Sequence, residues 1–246
     1  MRTSLFSRLW FISSALAGLL TAAALFAAST SSTGLTGLHG SIGTQDTETA
    51  SLSGHVEFRG VERAPSYGND FYSYQPPRSV DRRPNPLRAV IYLEGDNLQP
   101  ASESPQAIID QKDEMFVPHI LAVQQGTRVD FRNSDAIYHN VFSFSKTKRF
   151  DLGRYPKDRS RSVVFDRLGV VRVFCEIHSH MSAFVLVLPH SYFATTDASG
   201  NFRIPNVPPG RYDLVVWSDS FRTIRREVRL RSRGATEINF VLEQSR

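Results

Sequence analysis

From about residue 50 onward, apolar side chains recur at every second position in short runs. Thr127, Val129 and Phe131 alternate with Arg128, Asp130 and Arg132, the spacing of a half-buried antiparallel strand. Val171, Val173 and Cys175 share one face of a second run, and Ala183 to Leu188 is continuously apolar, as an inner strand is. Near the C-terminus Ile238, Phe240 and Leu242 alternate with Glu237, Asn239 and Val241. Turn signals separate these runs: Gln125-Gly126, Asn133-Ser134-Asp135, Arg167-Leu168-Gly169, Asp197-Ala198-Ser199-Gly200 and Pro208-Pro209-Gly210. No amphipathic helix is predicted after residue 30. The pattern predicts an all-β chain in sandwich form.

Three stretches escape the alternation. Arg2 and Arg8 precede 20 uncharged residues from Leu9 to Ala28, followed by Ser29 and Thr30. Residues 1–29 therefore read as an export signal, or as an uncleaved membrane anchor, since a helix of that length spans a bilayer. Residues 30–50, rich in Ser, Thr and Gly, read as a flexible tether. Ser66 to Pro86 holds four prolines and the aromatics Tyr67, Phe71, Tyr72 and Tyr74. It reads as a long surface loop, its rings covering a sheet edge or meeting a partner.

Composition narrows the classes. With 41% hydrophobic and 22% charged residues, the 246-residue chain is neither disordered nor a multi-span membrane protein, and its length suits one or two domains. The net charge of +5 falls to +3 if Arg2 and Arg8 leave with a signal. Six arginines lie between Arg222 and Arg233, opposed by Glu227 alone. Val228 and Leu230 alternate with Arg229 and Arg231, so this reads as a solvated strand face, or as a dock for an acidic redox partner or an anionic membrane. No nucleic-acid module accompanies the charge. The one cysteine excludes an internal disulfide, so an exported chain needs another use for its thiol.

Cys175, His178 and Met181 supply that use. Soft thiolate and thioether donors with an imidazole, all within seven residues, favour copper over hard cations, and zinc rarely accepts Met. Cys175 ends a strand on its inward face, and a tight loop turns His178 and Met181 back toward it. His139, after the Asn133-Ser134-Asp135 turn, is the candidate fourth donor from a neighbouring strand. His180 and His119 are possible extra donors, with His180 expected to point to solvent and His119 to be packed or on the surface. The alternatives are a zinc or vestigial site and an inert buried cysteine. A Cys–His hydrolase lacks an oriented third group, and Met181 closes the position an oxidase needs open, so no catalytic residues are predicted and the chain is not expected to be an enzyme.

The Cys-x2-His-x2-Met spacing, with a strand-borne His139 followed by Asn140-Val141, resembles the type 1 copper site of cupredoxins with the short ligand loop of amicyanins. Phe116-Val117-Pro118 and Gly126-Thr127-Arg128-Val129-Asp130-Phe131 extend the likeness over residues 105–189. It is similar to exported cupredoxin-like proteins called methylamine utilisation proteins. The resemblance implies a cupredoxin Greek-key sandwich holding one type 1 copper ion. It makes His139, Cys175 and His178 the equatorial ligands, Met181 the weak axial one, and Asn140 the brace around the Cys175 backbone. It further implies one-electron transfer between redox partner proteins through the His178 edge. Ser179 stands where amicyanin-type loops commonly have Pro.

After residue 190, the run from Phe193 to Ile204, with Val207-Pro208-Pro209-Gly210-Arg211-Tyr212-Asp213-Leu214, resembles a second, smaller sandwich, the carboxypeptidase regulatory-like (transthyretin-like) domain. Its usual opening strands match Gly54-His55-Val56 and Ala89-Val90-Ile91-Tyr92-Leu93, which lie before the copper segment. The expected organisation is residues 51–95 with 190–244, split by an inserted cupredoxin; two domains in tandem is the alternative. The functional expectation is a periplasmic or extracellular electron carrier, possible membrane tether at 9–28, with copper delivery on the same fold as the second reading.

Overall fold

The computed structural model describes residues 48–60, 86–100 and 105–244. The signal or anchor, most of the tether and nearly all of the aromatic 66–86 stretch lie outside the described residues. Among those described there are seventeen strands and no helix.

Nine strands build a first sandwich. One sheet runs in the order β5 (Ile120–Gln124), β11 (Ser182–Leu188), β10 (Gly169–Phe174), β7 (His139–Phe144) and β8 (Arg149–Tyr155). The facing sheet runs β4 (Met115–Val117), β3 (Gln106–Lys112), β6 (Thr127–Asn133) and β9 (Ser160–Phe165). The alternation read along β6 is the one observed: Thr127, Val129 and Phe131 are buried while Arg128 and Arg132 are exposed. Phe116, Phe131, Phe165, Val171, Val173 and Cys175 meet in the core between the sheets. Each such apolar side chain contributes about 1.5–3 kcal/mol when fully buried.

The other eight strands build a second sandwich. Its central strand β1 (Ala50–Arg59) pairs antiparallel with β13 (Asn201–Val207) and, on the other side, parallel with β16 (Ala235–Glu237) and β17 (Phe240–Glu243). The facing sheet runs β12 (Phe193–Thr195), β2 (Val90–Glu94), β14 (Gly210–Trp217) and β15 (Ile224–Leu230). Leu52, Ile91, Leu93, Ile204, Leu214 and Leu242 fill its core. The strands that enclose this core thus come from both sides of residues 105–189. Ala50, expected at the end of the tether, is 3% exposed and opens β1. The strand begins there because Ser51 N–H donates to the Gly234 carbonyl, Arg233 N–H to the Thr49 carbonyl, and Ala50 packs in the core.

The single strand expected over residues 237–242 is divided. Its two segments keep one register on β1, but the ladder lapses where Gly54 and His55 face Ile238 and Asn239. There the Asn239 side chain accepts the His55 N–H at 2.8 Å in place of a backbone carbonyl.

The continuous apolar run of β11 is explained by burial on both faces. Ala183, Val185 and Val187 point into the first core. Leu186 and Leu188 join Val90 and Ile120 in a smaller cluster, flanked by Phe184 and Trp217, that joins the two sandwiches.

Positive charge is distributed differently from the sequence expectation. Besides the arginines of β15, residues 146–172 hold nine Lys and Arg against three acids. These residues supply β8 and β9, the terminal strands of the two first-sandwich sheets, which touch where the Arg161 guanidinium donates to the Leu152 carbonyl. One edge of the first sandwich is therefore basic, with Lys146, Arg149, Arg154, Lys157, Arg159 and Arg161 all exposed.

Candidate metal centre

Three elements bring the donors together. His139 opens β7, Cys175 directly follows β10, and His178 lies in the loop that leads to Met181 and β11. The β10–β11 ladder continues one step into this loop, with Cys175 N–H donating to the Met181 carbonyl at 3.3 Å. Met181 N–H donates to the His178 carbonyl at 2.9 Å, closing a tight turn. Met181 is 1% exposed and shares the core of Cys175.

The His139 and His178 Nδ1 atoms are 3.0 Å apart, and the Cys175 Sγ is 3.9 Å from the first and 3.8 Å from the second. The point equidistant from these three atoms lies about 2.1 Å from each, close to the ~2.0–2.3 Å at which such donors bind a first-row metal ion. His139 and Cys175 are buried; His178 is half-buried and lies toward solvent.

The surroundings favour a Cys175 thiolate beside a His139 ring that holds its proton more readily than usual. Burial pushes the Cys175 thiol up, but the His139 ring and the backbone N–H groups of Asn140, His178 and Ile177 outweigh it and leave the thiol below its ordinary value. Burial likewise pushes His139 down, and its bonds to Cys175 and Asp135 reverse the direction.

Asn140 stands beside this triangle. Its Oδ1 accepts the Glu176 N–H at 3.1 Å, next to Cys175, while its Nδ2 donates to Asp151 at 2.8 Å. It ties β7 to the metal loop and to β8.

Asp135 is a further contributor that sequence reasoning read only as part of a turn. Its Oδ2 lies 2.8 Å from His139 Nε2, which turns Nδ1 toward Cys175. The carboxylate is itself held by the N–H groups of Asp113 and Glu114 at 2.7 and 2.9 Å. Both residues have φ of 54° in the β3–β4 turn, a left-handed pair whose successive N–H groups cradle an anion. Burial pushes the Asp135 carboxyl up, but these N–H bonds and His139 hold it below the usual range. An acid four residues before a candidate ligand histidine was the available signal.

The extra histidines lie elsewhere. His180, expected to point to solvent, instead lies 3.4 Å from Glu114, with only 18% of its side chain exposed. Its ring centroid is 6.0 Å from that of His178, and it stands outside the three-donor group. The cause is the β3–β4 turn, which brings the Glu114 carboxylate over the loop. His119 is likewise outside the group, bonded to the Ser182 carbonyl and to Asp219. Glu176 is exposed and pairs with Arg154 at the surface, at 3.3 Å.

The strands that follow β11 add Phe202, Ile204, Tyr212 and Leu214 to the second core. Residues 182–243 match the carboxypeptidase regulatory-like domain. The match begins inside β11, which the structure assigns to the first sandwich by its pairing with β10 and β5. From β12 onward the carboxypeptidase regulatory-like residues lie in the second sandwich, where β1 and β2 complete the sheets from outside the matched range.

Among solved structures, part of the chain is similar to amicyanin from Paracoccus versutus, at 19% identity over 40% of this chain and 97% of that one, TM-score 0.32. It is also similar to a purple cupredoxin from Nitrosopumilus maritimus, at 24% identity over 34% of this chain and 99% of that one, TM-score 0.31. A copper-containing nitrite reductase from Thermus scotoductus SA-01 matches at 19% identity and TM-score 0.33, over 37% of this chain, which spans a quarter of the reductase. No curated protein matches the chain.

Proposed function

We propose that the chain is an exported type 1 copper protein that passes single electrons between redox partner proteins. The observation that carries this reading is the His139–Cys175–His178 triangle, sized for one metal ion, with the buried Met181 joined to Cys175 through the backbone. A two-His, one-Cys set with a weak axial Met is the donor set of copper electron-transfer sites. Copper bound there supplies a one-electron Cu(I)/Cu(II) couple. The protein's own part is to hold the donors still: Asn140 fixes the loop against β7, and Asp135 fixes the His139 ring. Met181, buried in the same core as Cys175, would supply the fourth donor and so leave no open position for a substrate, which favours a carrier over a catalyst. The half-buried His178 is the side from which a partner approaches. We also read residues 51–95 and 190–244 as one carboxypeptidase regulatory-like sandwich interrupted by residues 105–189, a reading supported by the pairing of β1 and β2 with later strands.

Loading purified protein with Cu(II) and recording visible and EPR spectra tests the site. We expect intense thiolate-to-copper absorption that Cys175→Ser abolishes; its absence from the unmutated protein would sink the proposal. Reversible voltammetry separates a carrier from copper delivery, the second reading.

A further inference from the structure

The two sandwiches meet at a polar contact as well as an apolar one. Asp219 follows β14 on the second sandwich, with 10% of its side chain exposed, and its Oδ2 lies 3.3 Å from His119 Nε2 on the first. The other ring nitrogen of His119 is 2.9 Å from the Ser182 carbonyl oxygen. The main chain of His119 also grips this strand, its carbonyl accepting the Phe184 N–H at 2.8 Å. Phe184 in turn sets its ring against His119 at 5.5 Å and against Trp217 of the second sandwich at 5.9 Å. Ser182 is the residue after Met181, and Met181 is bonded on one side to His178 and on the other to Cys175.

We infer that Asp219 and His119 are a positioning pair through which the carboxypeptidase regulatory-like sandwich holds the Met181 end of the metal loop. This rests on the copper reading above for its consequence, but not for its geometry. The opposite end of the site has independent supports: Asn140 fixes Glu176, and Asp135 fixes His139, all within the first sandwich. Met181 has no comparable side-chain brace among the described residues except the one delivered to Ser182 by His119. Removing Asp219 therefore frees His119 to turn and loosens the start of β11. The thiolate and imidazole donors keep their places, while the thioether does not. Because the axial donor tunes such a centre, the change is selective rather than general.

Two measurements on the full chain test this. In metal-free protein, hydrogen exchange at the Met181 and Phe184 amides is expected to rise on the order of tenfold in Asp219→Asn, while the Val171 and Val173 amides of β10 keep their rates. In copper-loaded protein, Asp219→Asn and His119→Ala are expected to retain thiolate-to-copper absorption but to share a changed ratio of visible bands and a shifted reduction potential, with Asp219→Glu closer to wild type. Unchanged exchange at Met181 and Phe184 overturns the inference. So does acceleration spread evenly over β7, β10 and β11, the result of lost stability alone. If Asp219→Asn fails to fold, His119→Gln carries the same exchange comparison, with Asp219→Glu as the variant expected to stay near wild type. Absence of a thiolate-to-copper band in wild type removes the copper reading, and the metal-free exchange result still decides the positioning pair.

Discussion

Asn140 is 1% exposed and uses both ends of its amide, so it has no solvent to fall back on. Asn140→Ala leaves the Glu176 N–H without its acceptor and the Asp151 carboxylate with the Gly153 N–H in place of two donors, and we expect a loss of about 1–3 kcal/mol in denaturant unfolding of the metal-free protein. Asn140→Asp separates the two halves of the role, since its carboxylate still accepts from Glu176 but faces Asp151 with like charge. At this scale the candidate donors were legible because Cys175, His178 and Met181 fall within seven residues and their softness restricts the ion. Asp135 was not. Its importance comes from a turn 21 and 22 residues upstream whose Asp113-Glu114 pair lacks the Gly or Asn that ordinarily marks left-handed positions.

The interruption between β16 and β17 belongs to the scale of elements. A Cβ on Gly54 would lie 1.8 Å from the Ile238 carbonyl oxygen and 3.0 Å from the Phe202 ring, so the crossing strand passes where a side chain would stand. Gly54→Ala must push the β16–β17 segment away from β1, and we expect destabilisation of about 1–3 kcal/mol or more, read from the thermal unfolding midpoint. Gly60→Ala probes a positive φ of 76° with only an ordinary 3.8 Å approach to the Gln244 side chain, so it reports backbone strain alone. The alternation of Ile238, Phe240 and Leu242 continues unbroken through this crossing, which is why no break was visible in the sequence. Strand existence, by contrast, was legible wherever one face is wet, as in β6 and in the Val228 and Leu230 half of β15. Along β11 the pattern marked a strand but left open which two cores it serves.

For the molecule as a whole, the contact between sandwiches carries a pH dependence. Burial pushes the Asp219 carboxyl up, but His119 and Ser220 outweigh this and hold it below its ordinary value. Because the folded value is the lower one, Asp219 adds stability that is complete above the unfolded value and is lost as pH falls through the folded one. Wild type should therefore exceed Asp219→Asn in unfolding midpoint at pH 5, and the gap should close toward pH 2. The basic β8–β9 edge has a kinetic counterpart. β8 pairs with the strand that carries His139, and Arg154 reaches the metal loop at Glu176. Reduced, copper-loaded protein should react faster with anionic hexacyanoferrate(III) than with a cationic cobalt oxidant of similar driving force. That preference should shrink at high ionic strength and in Lys157→Glu/Arg159→Glu. Equal salt dependence for the two oxidants would show that the edge exerts no field at the site.

The parallel pairing of β1 with β16 and β17 also sets an order of events during synthesis. Ser51 meets Ala235 and Val56 meets Phe240, so the centre of the second sandwich waits for residues some 184 positions further along to leave the ribosome. Residues 105–189 contain every strand of the first sandwich and the three residues of the candidate metal group, and face no such delay. A nascent chain released early would hold a formed metal triangle before its Asp219 support exists, and contacts of long sequence separation close slowly.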